Sequence, residues 1–110
     1  MKKFILLLFI VVFAKISYSQ KVYSCDSKYD ADVKVYVCDS KYDADLCVYK
    51  VDSKYDVNDD GLWFFCDNKY DAKKKIYFVN SKYDADLLIY FVDSKYDAGW
   101  NHPDKKQLLY

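Results

Sequence analysis

Four cysteines, a single histidine and one aspartate-rich segment are the groups in this chain with chemistry beyond ordinary surface charge. The segment DVNDDGLWFFCD, residues 56–67, satisfies the pattern D-x-N-x-D-G-x5-D. It places Asp56, Asn58, Asp60 and Asp67 where a calcium loop carries oxygen ligands, and Gly61 where such a loop turns sharply. Two of those aspartates, Asp56 and Asp67, also belong to a motif that recurs along the whole chain, and the flanks read as strand and turn where a calcium loop has amphipathic helices. The favoured reading is a link turn in which Asp60-Gly61 permits positive φ, with no metal and no cofactor held. Cys25, Cys38, Cys47 and Cys66 follow one another at spacings of 13, 9 and 19 with no C-x-x-C, and His102 lies in a polar tail, so zinc is not expected. Cys25, Cys38 and Cys66 occupy the position that Val51, Val79 and Val92 fill elsewhere, which makes them small buried hydrophobes first. A Cys25–Cys38 disulfide between adjacent strands is the alternative. Carboxylate pairs such as Asp30 and Asp32 recur with the period, so none is set apart as an acid or a base. A nucleophile with a histidine partner would have to use His102, beside Pro103, and no catalytic residue is expected.

The recurring motif dictates the architecture. DSKYD stands at 26–30, 39–43, 52–56 and 93–97, with DNKYD at 67–71 and NSKYD at 80–84. Aligning Val22, Val35, Val48, Trp63, Ile76 and Ile89 gives spacings of 13, 13, 15, 13 and 13. The six units form two triplets, and the insertion around NDDG lies between them. Such a period means that each unit is one supersecondary piece that must bury its apolar face on its sisters. Within a unit, the VYxV segment is aromatic and β-branched, which predicts a buried strand of about five residues. The S-x-x-D spacing of Ser27 and Asp30 predicts a tight turn or a single helical turn in the SKYDAD segments. The tyrosines at 29, 42, 55, 70, 83 and 96 are expected to form a shelf with rings packed inward. Beside them, the lysines and aspartates read as solvated turn groups. The triplets differ at one position, Ser24, Val37 and Lys50 against Phe65, Phe78 and Phe91. That difference predicts that the second triplet is covered on both faces while the first wraps outside it.

The unit VYxVDSKYDADL, the three-plus-three division by an insertion ending GLWFF, and the close AGWNHPDKKQLLY together resemble a family of exported proteins, domain of unknown function 6150. The resemblance covers essentially all of the chain from residue 20 onward. It implies a mainly β single domain, deeply knotted as a seven-crossing (septoil, 7(1)) torus knot, with the second triplet winding between the strands of the first. It supplies no activity, cofactor or catalytic residue.

Residues 1–19 read as a signal peptide: Lys2 and Lys3 precede an apolar run from Phe4 to Ala14, and Ser17 and Ser19 suit a cleavage site. That run is too short to span a bilayer, so no transmembrane segment is expected after cleavage. The remainder, 20–110, reads as one repeat domain with units beginning at 21, 34, 47, 62, 75 and 88 and a tail at 101–110. Every base is lysine and every acid aspartate, and losing Lys2, Lys3 and Lys15 leaves a net charge of −3. Such a balance excludes a nucleic-acid binder. The chain thus reads as a secreted or periplasmic, monomeric, non-enzymatic structural domain. A secreted binding module for calcium, a glycan or a protein partner is the alternative. Accessible Trp63, Trp100 or convergent carboxylates at 58–61 would favour it.

Overall fold

The structure, a computed structural model, describes residues 20–57 and 59–109; the expected signal segment lies outside them. Six parallel strands close a barrel: β1 (Lys21–Ser24), β2 (Val33–Val37), β3 (Leu46–Lys50), β4 (Leu62–Phe65), β5 (Lys74–Phe78) and β6 (Leu87–Phe91). The ring order is β4-β1-β5-β2-β6-β3, closed by a β3–β4 pairing. Each strand has one side chain facing inward at its centre. Val22, Val35, Val48, Trp63, Ile76 and Ile89 are all at most 2% exposed. Residues beside them, Tyr23, Tyr36, Tyr49, Phe64, Tyr77 and Tyr90, face outward and stay half-buried. The alternation is that of a small closed barrel, with aliphatic residues inside and an aromatic coat outside.

Strands consecutive in sequence do not pair within a triplet. Going round the ring, β1, β2 and β3 stand two places apart, and β4, β5 and β6 fill the gaps between them. Register makes the interleaving possible. Val33–Val35 pair with β5, whereas Val35–Val37 pair with β6, so each strand enters against one neighbour and leaves against the other. The step from β3 to β4 alone advances one place instead of two, which is what sets the second lap into the gaps of the first. The longer link makes that step. Val57 is buried in it, and Gly61 takes φ +86°, so the expected positive-φ turn falls on the glycine. A Cβ at Gly61 would lie 2.6 Å from the Cys47 carbonyl oxygen and 2.7 Å from the Gly99 nitrogen, so only glycine fits.

Between strands the chain makes lone 3-10 turns, Lys28–Asp30, Lys41–Asp43, Lys54–Asp56, Lys69–Asp71, Lys82–Asp84 and Lys95–Asp97. Each is capped by the residue before it. Ser27 Oγ accepts from the Tyr29 backbone N–H at 3.2 Å, and Asn68 Oδ1 does the same for Tyr70 at 3.0 Å. The predicted helical turn is present, but the inward tyrosine shelf is not. Tyr29, Tyr42, Tyr55, Tyr70, Tyr83 and Tyr96 are 81–87% exposed. A turn needs only their backbone N–H, and the strand aromatics already coat the barrel, so no site remains inside for these rings.

The inside-outside assignment of the triplets is also overturned, because strands of both alternate in one wall. Phe65, Phe78 and Phe91 are partly buried against the core at the strand ends, and between them on the ring come Ser24, Val37 and Lys50. The sequence difference is a large-small alternation that lets three rings share the barrel mouth. Lys50 fits the scheme by placing its ammonium 4.7 Å from the Phe91 ring centroid and 5.2 Å from that of Phe65. The chain's end closes the other mouth. A short strand β7 (Gly99–Trp100) runs antiparallel to β3, and Leu109, 2% exposed, joins the core with Trp100 and Leu108 packed against it.

Two substitutions check this inventory. Ile76→Ala is expected to cost about 2–5 kcal/mol as an interior cavity. Tyr83→Ala, at an 87% exposed residue, should stay within about 0.5 kcal/mol. Urea unfolding of both variants measures the difference, and a large loss at Tyr83 would restore the packed shelf.

Candidate functional site

Asp56 and Asp67 are exposed at two different turns, Asn58 lies outside the described residues, and Asp60 Oδ2 is 3.5 Å from Lys106 Nζ. Among the described residues no group of three or more His, Cys, Asp or Glu side chains is arranged to hold a metal. Trp63 is wholly buried, with its indole N–H donating to Gln20 Oε1 at 3.0 Å, and Trp100 is half-buried. Trp63 presents no accessible face for a binding role, and Trp100 packs against the core.

A polar centre that sequence reasoning missed lies at Asp45. Its carboxylate is 9% exposed and accepts the Leu88 backbone N–H at 2.9 Å, with His102 Nδ1 and Lys105 Nζ each 3.3 Å away. Its carbonyl accepts from the backbone N–H groups of Asn101 and His102. Resemblance to a catalytic pair is superficial: the contacts tie the entry of β3 to Leu88 of β6 and to the C-terminal tail, and Asp45 is the hydrogen-bonding partner of the His102 side chain among the described residues. The same carboxylate clip recurs at two other strand entries. Asp32 Oδ2 accepts from Lys75 N–H, and Asp86 Oδ2 from Lys34 N–H, both at 3.0 Å. These aspartates clip the entry of one strand to the backbone of its neighbour, and their fixed place just ahead of each strand is the signal that could have found them.

All four cysteines are free thiols. The Cys25–Cys38 bridge fails on topology, since those residues leave β1 and β2, which β5 separates. Two strand spacings are about 9.6 Å, beyond disulfide reach. Burial pushes the thiols of Cys25, Cys38 and Cys66 above their ordinary range. Asp30 adds to the effect at Cys25 and Asp43 at Cys38, while Lys21 opposes it at Cys66. They behave as the valines they replace.

What the turns do present is a repeated groove. In one copy, Ser81, Lys82 and Tyr83 of one turn face Tyr36, Asp39 and Asp43 of the neighbouring unit across a space of about 530 Å³. Ser40, Lys41 and Tyr42 face Tyr90, Asp93 and Asp97 in the next, of about 440 Å³. Ser53 and Lys54 face Phe64, Asp67 and Asp71 in a third, and Lys95 faces Tyr49, Asp52 and Asp56 in a fourth. These are consecutive steps round the ring. Each tyrosine of a turn carries its preceding lysine ammonium over the ring, 5.4–5.6 Å from the centroid in all six units. The sequence signal is the triplet Lys-Tyr-Asp, present in every unit while the cap before it changes from Ser to Asn68 and the strand-entry aspartate changes to Lys73.

With this geometry in place, the comparison with protein families gives one result: the 7(1) septoil knot domain matches the chain over residues 19–101. The chain belongs to that family. No curated protein and no solved structure matches it. The family is defined by its fold and points to a structural domain.

Two outcomes follow from the buried groups. Asp45→Ala should cost about 1.5–3 kcal/mol through loss of charge-assisted hydrogen bonds, against about 1 kcal/mol for the exposed clip Asp32→Ala, measured by urea unfolding. The raised thiols set a pH window. A native pKa above the unfolded one favours the neutral native form, so this contribution is complete below the unfolded cysteine value, about 8.5, and is lost as pH rises through the native values. The melting temperature should therefore hold level to about pH 8 and then fall. Replacing Cys25, Cys38 and Cys66 by valine should flatten the decline above about pH 8.

Proposed function

We propose that the protein is an exported, non-enzymatic structural domain whose chain carries the seven-crossing torus knot of its family and whose role depends on persistence. One observation carries this reading: the second lap of strands occupies the gaps of the first, so neither lap has a sheet of its own to fall back on. The Lys2-Lys3 start and the apolar run to Ala14 support export and loss of residues 1–19, leaving a single domain from residue 20. The excess of aspartate over lysine in residues 20–110, a net charge of −3, supports the absence of nucleic-acid partners, and the domain is read as a monomer. A second reading, a secreted binding module, is favoured by a different observation, the exposed tyrosines and the grooves they border.

Durability is measured directly. Unfolding in guanidinium should be slower than about 10⁻⁴ s⁻¹ on extrapolation to water, because non-local pairings must all be released. Limited proteolysis should leave a fragment from Val22 to Trp100 intact. Unfolding within milliseconds, or early cleavage between β3 and β4, would show that the laps separate easily and would remove both the persistence and the knot.

A further inference from the structure

We propose that the ring of grooves is a multivalent binding surface for a neutral, hydroxyl-rich polymer, a polysaccharide, with one sugar residue seated per groove. The inference rests on the binding-module reading and specifies its ligand. Four grooves on consecutive ring positions share one composition: an outward aromatic from a strand, a lysine from one turn, and two aspartates from the next. The aromatics are Tyr36, Tyr90, Phe64 and Tyr49, all half-buried and therefore fixed in orientation. Such a wall offers a flat apolar face, and in two of the grooves an exposed turn tyrosine, Tyr42 or Tyr83, offers another at the rim.

Charge selects the ligand class. Two or three carboxylates in each groove repel polyanions, so nucleic acid and sulfated or phosphorylated chains are disfavoured. A lysine ammonium in each groove, such as Lys82 or Lys41, repels cations in turn. A neutral polyol needs what remains: acceptors in Asp39 and Asp43, donors in Lys82 and Ser81, and an aromatic plane for the apolar face of its ring. A protein partner is less suited, because neighbouring grooves meet at charged residues, Asp39 and Asp52, which break up the apolar surface an interface core would need. The turn itself does not explain its tyrosine. The backbone N–H is what Ser27 or Asn68 caps, and the ring lies outside the core, yet Lys-Tyr-Asp is kept in all six units. A weak single site repeated at fixed spacing gains by avidity on a polymer that presents the same sugar repeatedly.

Affinity electrophoresis of the full protein tests the proposal, with gels containing β-1,3-glucan, β-1,4-glucan, galactan or mannan, and parallel gels containing heparin or polylysine. Retardation is expected in at least one neutral polysaccharide and in neither charged polymer. The double variant Tyr36→Ala/Tyr90→Ala should weaken retardation by about tenfold in apparent Kd. The rim variant Tyr42→Ser/Tyr83→Ser, whose residues lie outside the core, should weaken it at unchanged melting temperature. Retardation by heparin or polylysine alone would overturn the glycan assignment and keep a binding module. Migration unchanged in every gel would overturn both. Retardation in a neutral polysaccharide that survives the rim variant at full strength would overturn the grooves as its site.

Discussion

A parallel strand needs a hydrogen-bonding neighbour on each edge, and in this chain no strand can find one within its own lap. All six pairings that close the barrel join a strand of the first triplet to a strand of the second. Members of one triplet stand two strand spacings apart, about 9.6 Å, too far for backbone hydrogen bonds. Half a barrel is therefore no structure at all: three strands with bare edges and an open apolar face. Stability has to appear in one step, when the second lap fills the gaps, and most contacts that reward it join residues far apart in sequence. The Asp45–Leu88 and Asp32–Lys75 clips each span 43 residues and the Asp86–Lys34 clip spans 52. Such pairing forms late and is released only with the whole.

That constraint orders the smaller features. The strand-entry aspartates add a side-chain acceptor where a strand's first N–H groups would otherwise lack a partner, and they do so across the lap boundary. Alternation of phenylalanine with serine, valine and lysine at the barrel mouth follows because neighbours on the ring always come from different laps. The link differs from every other connection because it alone must shift the ring position by one place. Its glycine sits where the Cys47 carbonyl and the Gly99 amide leave no room for a Cβ. With the sixth strand placed, the next two-place step would land on β4. β7 turns antiparallel against β3 instead, and the tail it leads into closes the open mouth with Leu109.

Much of this was legible in the sequence. The 13-residue period, the β character of VYxV, the capped turn and the three-plus-three division each follow from local patterns that the structure reproduces. Resemblance to the septoil knot family was legible in the same residues. What was not legible depends on which strand lies next to which. The phenylalanines of the second triplet look like a deeper layer until they are seen alternating with Ser24, Val37 and Lys50. Cys25 and Cys38 look like neighbours until β5 separates them. The turn tyrosines misled for another reason: apolar bulk usually marks the interior, and here the inward positions were already filled by Val22, Val35, Val48, Trp63, Ile76 and Ile89. Asp45 gave no sign beyond its place in the repeat, since its partners come from a tail that the period does not reach.

Persistence and recognition need not compete as explanations of this fold. A groove formed between two units keeps its shape only while both strands hold their register, and here the register of every strand is fixed from both sides by the other lap. The same pairing therefore repeats the groove at equal steps round the ring, with Tyr36, Tyr90, Phe64 and Tyr49 held in like orientation by their half-buried strands. Rigid spacing raises the effective concentration at the second site once the first is filled, and loses that advantage if units can slip or fray. A flexible array of Lys-Tyr-Asp turns would present the same side chains at a larger entropic cost for each one engaged. The closed, interleaved barrel removes that cost in advance, which gives a small domain a physical reason to be built as two laps and not as an open row of repeats.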